Sequence, residues 1–123
     1  MATVVPKTIA KGKGWMLILW ETMLVGDVGQ PQRVPNYADK TVHVEGSFSG
    51  GATFTIEGSN EDVAAPIAWI GLTDPQGTAI SKTVDAIEAI LENTLQIRPV
   101  ITSGDGSTDV NVYLLCATPR SGA

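Results

Sequence analysis

Histidine and cysteine are scarce in this 123-residue chain, which contains one of each, His43 and Cys116. A structural zinc site needs several clustered Cys or His ligands, and a triad hydrolase needs a histidine base beside its nucleophile. The sequence also lacks a G-x-S-x-G elbow, a phosphate-binding loop and a dinucleotide-binding fingerprint. We therefore expect no catalytic residues, no metal site and no cofactor. A single cysteine excludes an intrachain disulfide and agrees with folding in a reducing cytoplasm.

Long hydrophobic runs are absent as well. The longest apolar stretch, residues 15–20, is far shorter than the about 20 residues that cross a bilayer as a helix. Glycine and lysine precede it, in place of a signal-peptide pattern. The sequence therefore predicts neither a membrane partner nor a secretion signal.

Positive charge is scarce and is concentrated at the start of the chain. The net charge is −5, and Lys7, Lys11 and Lys13 precede the first acidic residue. From residue 14 onward there are five basic and thirteen acidic residues. A nucleic-acid-binding body needs a basic face, so no nucleic-acid partner is expected. Because Pro6 disfavours a helix, residues 1–14 are predicted to form a flexible basic arm that can reach an acidic protein surface.

Glycine and proline are plentiful, with 13 and 7 residues, which is typical of an all-β chain with many turns. In residues 40–48 and 52–58, apolar and polar side chains alternate with a period of two. Val42 and Val44 are expected to point toward the core, so His43, between them, is expected to face solvent or an interface. The Gly50-Gly51 pair between the runs predicts a β-hairpin.

Other segments complete a predicted β-sandwich of seven or eight strands with at most one short helix. Pro99 should place its strand at an edge or bulge. Residues 15–25 read as a buried strand, although their composition also permits a helix. Residues 26–37 are predicted to be a loop and residues 119–123 a loose tail. Residues 15–118 are predicted to form the single domain. The remaining strands are predicted at residues 67–73, 78–84, 95–102 and 108–117, a turn at residues 74–77, and the short helix at residues 85–93.

Acidic residues occur in or beside predicted loops, where solvated carboxylates are the usual interpretation. Glu57 lies near Glu61 and Asp62, and Asp105 lies near Asp109. A glycosidase would need two carboxylates held across a cleft, and the calcium-loop pattern is not met. Neither pair therefore predicts a catalytic or metal-binding site.

The aromatic residues are the best candidates for contacts with a partner. Trp69 is expected in the core, whereas Trp15 and Trp20 are five residues apart and so lie on opposite faces of a strand. One of these two should point outward, which is typical of an interface. Cys116, within an apolar run, is predicted to be a buried thiol. The candidate interface residues are Lys7, Lys11, Lys13, Trp15, Trp20 and Tyr37.

Several motifs resemble a family of small structural proteins encoded in the virion-gene clusters of tailed bacteriophages and prophages. They are GSN at residues 58–60, LTDPQG at 72–77, IEAILEN at 87–93, IRP at 97–99 and GDGST at 104–108. The resemblance implies a jelly-roll-like capsid decoration (cement) protein on the outer capsid shell, made in the bacterial host cytoplasm. It also implies the major capsid protein and a second or third copy of the chain as partners, and no catalytic residues. One departure is the longer segment 61–68 before Trp69.

Two alternatives remain at this stage. The strand that ends in GSN is also similar to discoidin-like carbohydrate-binding sandwiches, which would make the chain a sugar-binding module or a receptor-binding part of a virion. Tyr37 is the loop aromatic available for such a site. A head–tail completion protein is the third reading.

Overall fold

The computed structural model describes residues 2–118, which form two β-sheets around one hydrophobic core. Seven of the twelve strands are longer than two residues, and the only helical element within the described residues is a 3₁₀ turn at Ser49–Gly51. This arrangement confirms the all-β sandwich. The strands are β1 Thr3–Val4, β2 Lys7–Gly12, β3 Trp15–Met23, β4 Val28–Gly29, β5 Gln32–Arg33, β6 Asp39–Ser47, β7 Thr53–Ser59, β8 Ile70–Gly71, β9 Ser81–Lys82, β10 Ala86–Ala89, β11 Gln96–Thr102 and β12 Asp109–Ala117.

The five-stranded sheet has the order β10-β6-β12-β3-β2, and every neighbouring pair is antiparallel. Its central strand is β12, the last in the chain. Alternation along β12 buries Val112, Leu114 and Cys116 and turns Tyr113 and Leu115 away from the core. The predicted final strand and the buried thiol are thus confirmed.

The seven-stranded sheet is built around β11, which pairs with β7 along its whole length. On the other side of β11 lie β4 and β5, and β1 extends β4 in parallel. The two-residue strands β8 and β9 pair with β7 at its far edge. Residues 26–37 are therefore not only a loop, since they contain β4 and β5. Of the strands expected at residues 67–73 and 78–84, the structure contains only the two-residue strands β8 and β9.

Apolar side chains from both sheets fill the core. Trp20 and Phe54 are the largest fully buried side chains. Nε1 of Trp20 donates a hydrogen bond to the carbonyl oxygen of Gln30 at 3.0 Å, so the one polar atom of the indole is satisfied. Other core residues include Ile18, Met23, Val42, Val44, Ile56, Ile97, Ile101, Val110, Val112 and Leu114.

The predicted hairpin between residues 40–48 and 52–58 is wrong. The two runs are strands, but β6 lies in the five-stranded sheet and β7 in the seven-stranded sheet. The segment between them is a β-arch, in which Gly50 and Gly51 have φ values of 70° and 78°. Two strands that face each other across a core show the same alternation as two paired strands, so the period alone cannot separate the two arrangements.

The flexible arm expected over residues 1–14 is also corrected by the structure. Residues 3–4 form β1 and residues 7–12 form β2, which pairs with β3 at the edge of the five-stranded sheet. The amide of Ala2 donates to Oδ1 of Asp27 at 3.0 Å, which ties the start of the described chain to the body. An exposed edge strand needs few apolar side chains, so its sequence resembles that of a tail. The tail predicted at residues 119–123 lies outside the described residues.

Three local predictions also differ from the structure. The helix expected at residues 85–93 is instead β10, because pairing with β6 outweighs a local helical preference. Trp69 lies in a loop rather than in a core strand, and it is only half-buried. Pro99 lies in an inner strand, opposite the break between β4 and β5, where the neighbouring ladder does not require its missing N–H.

Candidate functional site

The surface of the five-stranded sheet that faces away from the core is the principal candidate for binding, and we call it the outer face. It consists of the outward side chains of β2, β3, β12, β6 and β10. Because side chains alternate along each strand, the register of the sheet arranges these residues in rows across the strands. Its apolar members include Leu17, Ile87 and Leu115.

Two apolar rows cross the middle of the outer face. The first row runs Ala10, Leu17, Leu115, Thr41 and Ala89, as the strand registers define it. The second row runs Lys7, Leu19, Tyr113, His43 and Ile87. Of the apolar residues in these rows, Leu115 and Ile87 are exposed, Leu17 is half-buried and Leu19 is buried. Exposed apolar side chains on a sheet surface typically mark an interaction surface when they form a patch.

The exposures of these side chains show how much apolar area is available. Ile87 is 63 % exposed, Leu115 is 40 % exposed, and Trp15, at the end of the face, is 39 % exposed. Burial of apolar surface is worth about 25 cal/mol per Å², so covering these side chains favours association. The outer face thus offers a hydrophobic contact area without a deep cleft.

The rings of His43 and Tyr113 stack at the centre of the outer face. Their centroids are 5.3 Å apart and their planes differ by 26°. The hydroxyl of Tyr113 donates to Oε1 of Glu45 at 3.4 Å, a long hydrogen bond. Together with Leu17, Ile87 and Leu115, these residues line an open cavity of about 390 Å³. This cavity combines stacked rings with one carboxylate.

Charged residues surround the outer face unevenly. On the β2 side, Lys7 forms an ion pair with Glu21 at 2.9 Å, and the two side chains are 56 % and 54 % exposed. An ion pair this exposed contributes little to stability because water and salt screen it. On the opposite side, Asp39 and Glu45 on β6 and Asp85 before β10 supply negative charge. The β6 and β10 side of the face is thus acidic, whereas Lys7 on the β2 side is paired with Glu21.

The outward surface of the other sheet has a different character. Its middle strands present Thr53, Thr55 and Glu57 from β7 and Arg98 and Thr102 from β11. Nε of Arg98 donates a hydrogen bond to Oε1 of Glu57 at 2.9 Å, and Nη2 of Arg98 lies 2.9 Å from the same oxygen in an ion pair. This surface is therefore mainly polar, whereas the outer face of the five-stranded sheet has apolar side chains at its middle.

Lys40 lies directly beneath the outer face and is only 3 % exposed. Its Nζ donates to the carbonyl oxygen of Tyr37 and to Oδ1 of Asn93, both at 2.8 Å. Burial lowers the pKa of the Lys40 ammonium, although Cys116 and Asp39 act in the opposite direction. Burial likewise raises the pKa of the Cys116 thiol to about 11, against the effect of Lys40. The thiol is therefore protonated at neutral pH and is a poor nucleophile.

A second cluster surrounds Trp69, in the segment that departs from the phage-protein pattern. The guanidinium of Arg98 lies 4.3 Å from the centre of the Trp69 ring. Oε1 of Glu61 accepts hydrogen bonds from the amides of Ile67 and Ala68, at 2.8 and 2.6 Å. These contacts hold a loop that leaves Ile67 90 % exposed. The loop is thus anchored by polar groups and presents an apolar tip.

The structure separates the sequence-predicted interface residues. Lys7, Lys11, Lys13 and Trp15 are exposed at or near the β2 edge of the five-stranded sheet. Trp20 is fully buried, so its selection as a contact residue is corrected: it belongs to the core. The spacing argument that placed Trp15 and Trp20 on opposite faces holds. Tyr37 is half-buried and packs against the core, away from the cluster of lysines.

The sequence reasoning missed the residues that form most of the outer face. Leu17, Ile87, Tyr113 and Leu115 each occupy the outward position of a strand, where a polar residue is usual. An apolar residue in such a position was the available signal. This signal can be recognised only when the inward positions of the same strand are known, and at Ile87 the local sequence instead favours a helix.

Within residues 2–118, no three His, Cys, Asp or Glu side chains lie close enough together to hold a metal ion. Within the same residues, no helix has the length and hydrophobicity to cross a membrane.

Comparison with known proteins gives a likeness of fold. No protein-family model and no curated protein sequence matches this chain. The crystal structure of the SPBc2 prophage-derived protein YomS is similar over 92 % of this chain and 95 % of that chain, with a TM-score of 0.64 and 13 % identity. An RmlC-like cupin protein from Desulfovibrio desulfuricans is similar over 96 % and 85 %, with a TM-score of 0.50 and 13 % identity. The chain therefore has a jelly-roll-like β-sandwich fold.

Proposed function

We propose that this protein is a non-enzymatic structural component of a tailed-bacteriophage particle, located in the virion as a capsid decoration protein. The observation that carries the proposal is the outer face, where Leu17, Leu115 and Ile87 form an apolar middle with charged residues around it. Such a surface is suited to adhesion between subunits, since it gains free energy by burial and needs no reaction centre.

Two further observations support this function. The fold is similar to that of a prophage-derived protein over nearly the full length of both chains. Five sequence motifs resemble small virion proteins of tailed phages. Neither observation identifies the partner, for which we propose the major capsid protein.

The proposed mechanism is lateral cross-linking of capsomers. Each copy would contact its neighbours through strands of fixed geometry, so that the shell resists expansion through many small contacts. The exposed Lys7, Lys11 and Lys13 would guide the protein toward acidic capsid surface, an effect that salt weakens. Ile67, at the tip of the Trp69 loop, offers a second apolar contact.

Cryo-electron microscopy of particles from the encoding phage or prophage tests this proposal directly. We expect density for the sandwich at symmetric positions over the outer shell, and loss of that density from particles that lack the gene. Re-addition of the purified protein should restore it. A ring at one vertex would instead identify a head–tail completion protein, and absence from purified particles would reject a virion role.

A second candidate function is glycan binding, favoured by one observation. The stacked His43 and Tyr113 rings lie beside the Glu45 carboxylate in an open cavity of about 390 Å³. Sugar sites combine an aromatic surface with a few polar groups. Screening on a glycan array tests this function, with Tyr113→Ala as the variant that should lose any signal. Signal that persists in this variant would exclude the cavity as the site.

A further inference from the structure

A second open cavity on the outer face continues the cavity beside His43. It has a volume of about 440 Å³ and lies toward the Asp39 end of β6. Thr41 and Leu115 line both cavities, so the two form one shallow groove that follows β6, which we call the β6 groove. Its walls are mainly apolar and include Leu17, Ile87, Ala89, Leu91 and Leu115.

A carboxylate lies at each end of the β6 groove. Glu45 lines one end and Asp39 lines the other. Both belong to the outward side of β6 and are six residues apart, so their backbones are separated by about 20 Å at about 3.3 Å per residue. Within residues 2–118, neither carboxylate forms an ion pair. The groove therefore offers two negative charges at a separation that the strand fixes.

The Glu45 end of the groove is the more acidic. Oδ1 of Asp85 accepts a hydrogen bond from the amide of Gly46 at 3.1 Å, which places a second carboxylate beside Glu45. Of the described residues that line this end, none is Lys or Arg. A cationic group is thus the occupant that this end favours.

The Asp39 end is less acidic because Lys40 lies beneath it. The Lys40 ammonium is buried, and it donates to the carbonyl oxygen of Tyr37 and to Oδ1 of Asn93 rather than to the Asp39 carboxylate. Lys13, in the turn before β3, lies two strand spacings from β6, about 10 Å, where salt screens most of its attraction. A cation bound at this end therefore gains less than one bound at the Glu45 end.

An extended polypeptide segment matches the groove in both spacing and chemistry. Its residues rise by the same distance as those of β6, so two side chains six positions apart can reach both carboxylates. The side chains two and four positions along point the same way and meet the apolar walls. A cationic lipid has one charged group and would leave one end of the groove unsatisfied.

We propose that the β6 groove binds an extended segment of another protein, with Lys or Arg at its first and seventh positions and apolar side chains at its third and fifth. The proposal rests on the structural role proposed above and deepens it, since it gives the chemistry of the segment that the outer face binds. Burial of the apolar side chains supplies affinity, and the two end charges select the segment and its register.

Fluorescence anisotropy of a labelled peptide, capped at both ends, tests the spacing. The probe Lys-Ser-Leu-Ser-Leu-Ser-Lys should bind with an affinity that falls as salt is raised. A peptide of the same composition with its two lysines adjacent should bind at least about 5-fold more weakly, and one with Glu in place of both lysines at least about 10-fold more weakly. A control peptide that binds as tightly as the probe, or a probe that does not bind at about 1 mM, would overturn the inference.

Arginine substitutions locate the binding site on the protein. Ala89→Arg places a cation and added bulk in the groove and should weaken probe binding at least about 10-fold. Thr102→Arg adds the same group at the exposed end of β11 in the other sheet and should leave the affinity within about 2-fold of the original. Circular dichroism checks that both variants are folded. A folded Ala89→Arg protein that binds the probe as tightly as the original would show that the peptide does not occupy the groove.

Neutral substitutions rank the two ends of the groove. Glu45→Gln should weaken probe binding more than Asp39→Asn, because Lys40 lies beneath Asp39. Asp62→Asn also removes one negative charge, but in a loop beside the other sheet, and it should leave the affinity nearly unchanged. Equal effects of Glu45→Gln and Asp62→Asn would reduce the attraction to net charge alone and reject the groove as its source.

Two further results separate this inference from its alternatives. If the protein dimerises in sedimentation equilibrium and loses probe binding as it does so, the groove belongs to a second copy and the inference is rejected. The particle experiment is independent of peptide binding. Protein present in particles without probe binding would keep the structural role and discard the peptide site, whereas probe binding by a protein absent from particles would do the reverse.

Discussion

Nε1 of Trp20 donates a hydrogen bond to the carbonyl oxygen of Gln30, 3.0 Å away, and thereby joins the two sheets of the sandwich. Trp20 belongs to β3 of the five-stranded sheet, and Gln30 lies between β4 and β5 of the seven-stranded sheet. Gly29 beside it has no room for a side chain, since a Cβ atom there would lie 2.7 Å from Nε1 of Trp20. The contact of the Trp20 indole with Gly29 and Gln30 is therefore a defined point at which the two sheets meet.

Replacement of Trp20 by Phe should lower the free energy of unfolding by about 2 kcal/mol or more. The change removes the hydrogen bond, leaves the Gln30 carbonyl without its indole donor and opens space in the core. Urea unfolding followed by circular dichroism measures the loss. Trp15→Phe is the matched control and should change the free energy of unfolding by less than about 0.5 kcal/mol, because Trp15 is 39 % exposed. Equal effects of the two substitutions would contradict this role for Trp20.

Three glycine-to-alanine substitutions should differ in cost according to their surroundings. At Gly50, φ is 70° and an added Cβ would lie 2.8 Å from the backbone nitrogen of Asp105, so Gly50→Ala should cost about 2–3 kcal/mol. At Gly51, φ is 78° in open space, so the cost should be about 1 kcal/mol from the left-handed backbone alone. Gly71, with neither constraint, is the control and should be nearly neutral. Thermal unfolding of the three variants gives the order, and a neutral Gly50→Ala would show that the β-arch is not tightly held.

Alkaline pH should destabilise the protein through Cys116. Its thiol has a pKa of 9.0 when free and about 11 in the fold, because burial disfavours the thiolate. The folded state therefore holds its proton more tightly than the unfolded state, and stability falls by about 1 kcal/mol per pH unit between pH 9 and pH 11. Below pH 9 both states are protonated and this dependence vanishes.

Cys116→Ala isolates that effect. The variant should be less stable than the original at pH 7, because the core loses volume, but the difference should shrink as pH rises from 9 to 11. The lowered pKa of Lys40 acts in the opposite direction, because the unfolded lysine holds its proton more tightly than the folded one. Lys40 is present in both proteins, although removal of Cys116 also removes that thiol's effect on the Lys40 pKa. Val112→Ala provides a control whose cost should stay constant with pH. A constant difference for Cys116→Ala would show that the thiol is not the titrating group.

Arg98→Lys should loosen the Trp69 loop although it preserves the charge. The guanidinium of Arg98 lies 4.3 Å from the centre of the Trp69 ring and also bonds to Glu57 through Nε, and a lysine ammonium cannot reproduce both contacts. Limited proteolysis should cut within residues 60–69 several-fold faster in the variant, with global stability lowered by no more than about 1 kcal/mol. Lys82→Arg serves as a control on the same sheet, and an unchanged cleavage rate in Arg98→Lys would contradict the role given to this contact.

The strands of the body were predictable where one face is buried. Val42 and Val44 in β6, and Val110, Val112 and Leu114 in β12, alternate with polar or outward residues, and the structure buries them as the period requires. Their partners were not predictable, because alternation reports which side of a strand is buried and says nothing about its neighbour. For this reason Gly50 and Gly51 suggested a hairpin when they form an arch.

The candidate site was predictable only in part. Lys7 and Trp15 were selected correctly as exposed residues, but Ile87 and Leu115 became visible as an apolar surface only through the register of the sheet. The helix predicted at residues 85–93 hid Ile87, since Ile87, Ile90 and Leu91 also match a helical spacing. In the structure, the amide of Ile90 bonds to the carbonyl of Lys40, and long-range pairing decides the conformation.

The position of β12 has a consequence for biosynthesis. The five-stranded sheet is arranged around its last strand in chain order, so β3 and β6 have no shared neighbour until Asp109–Ala117 has left the ribosome. At about 5–20 residues per second, the emerging chain spends several seconds with the apolar sides of both strands uncovered. Nascent copies made close together on one message would be at risk of coaggregation during that interval, which makes translation rate and chaperone capacity of the host a practical limit on yield.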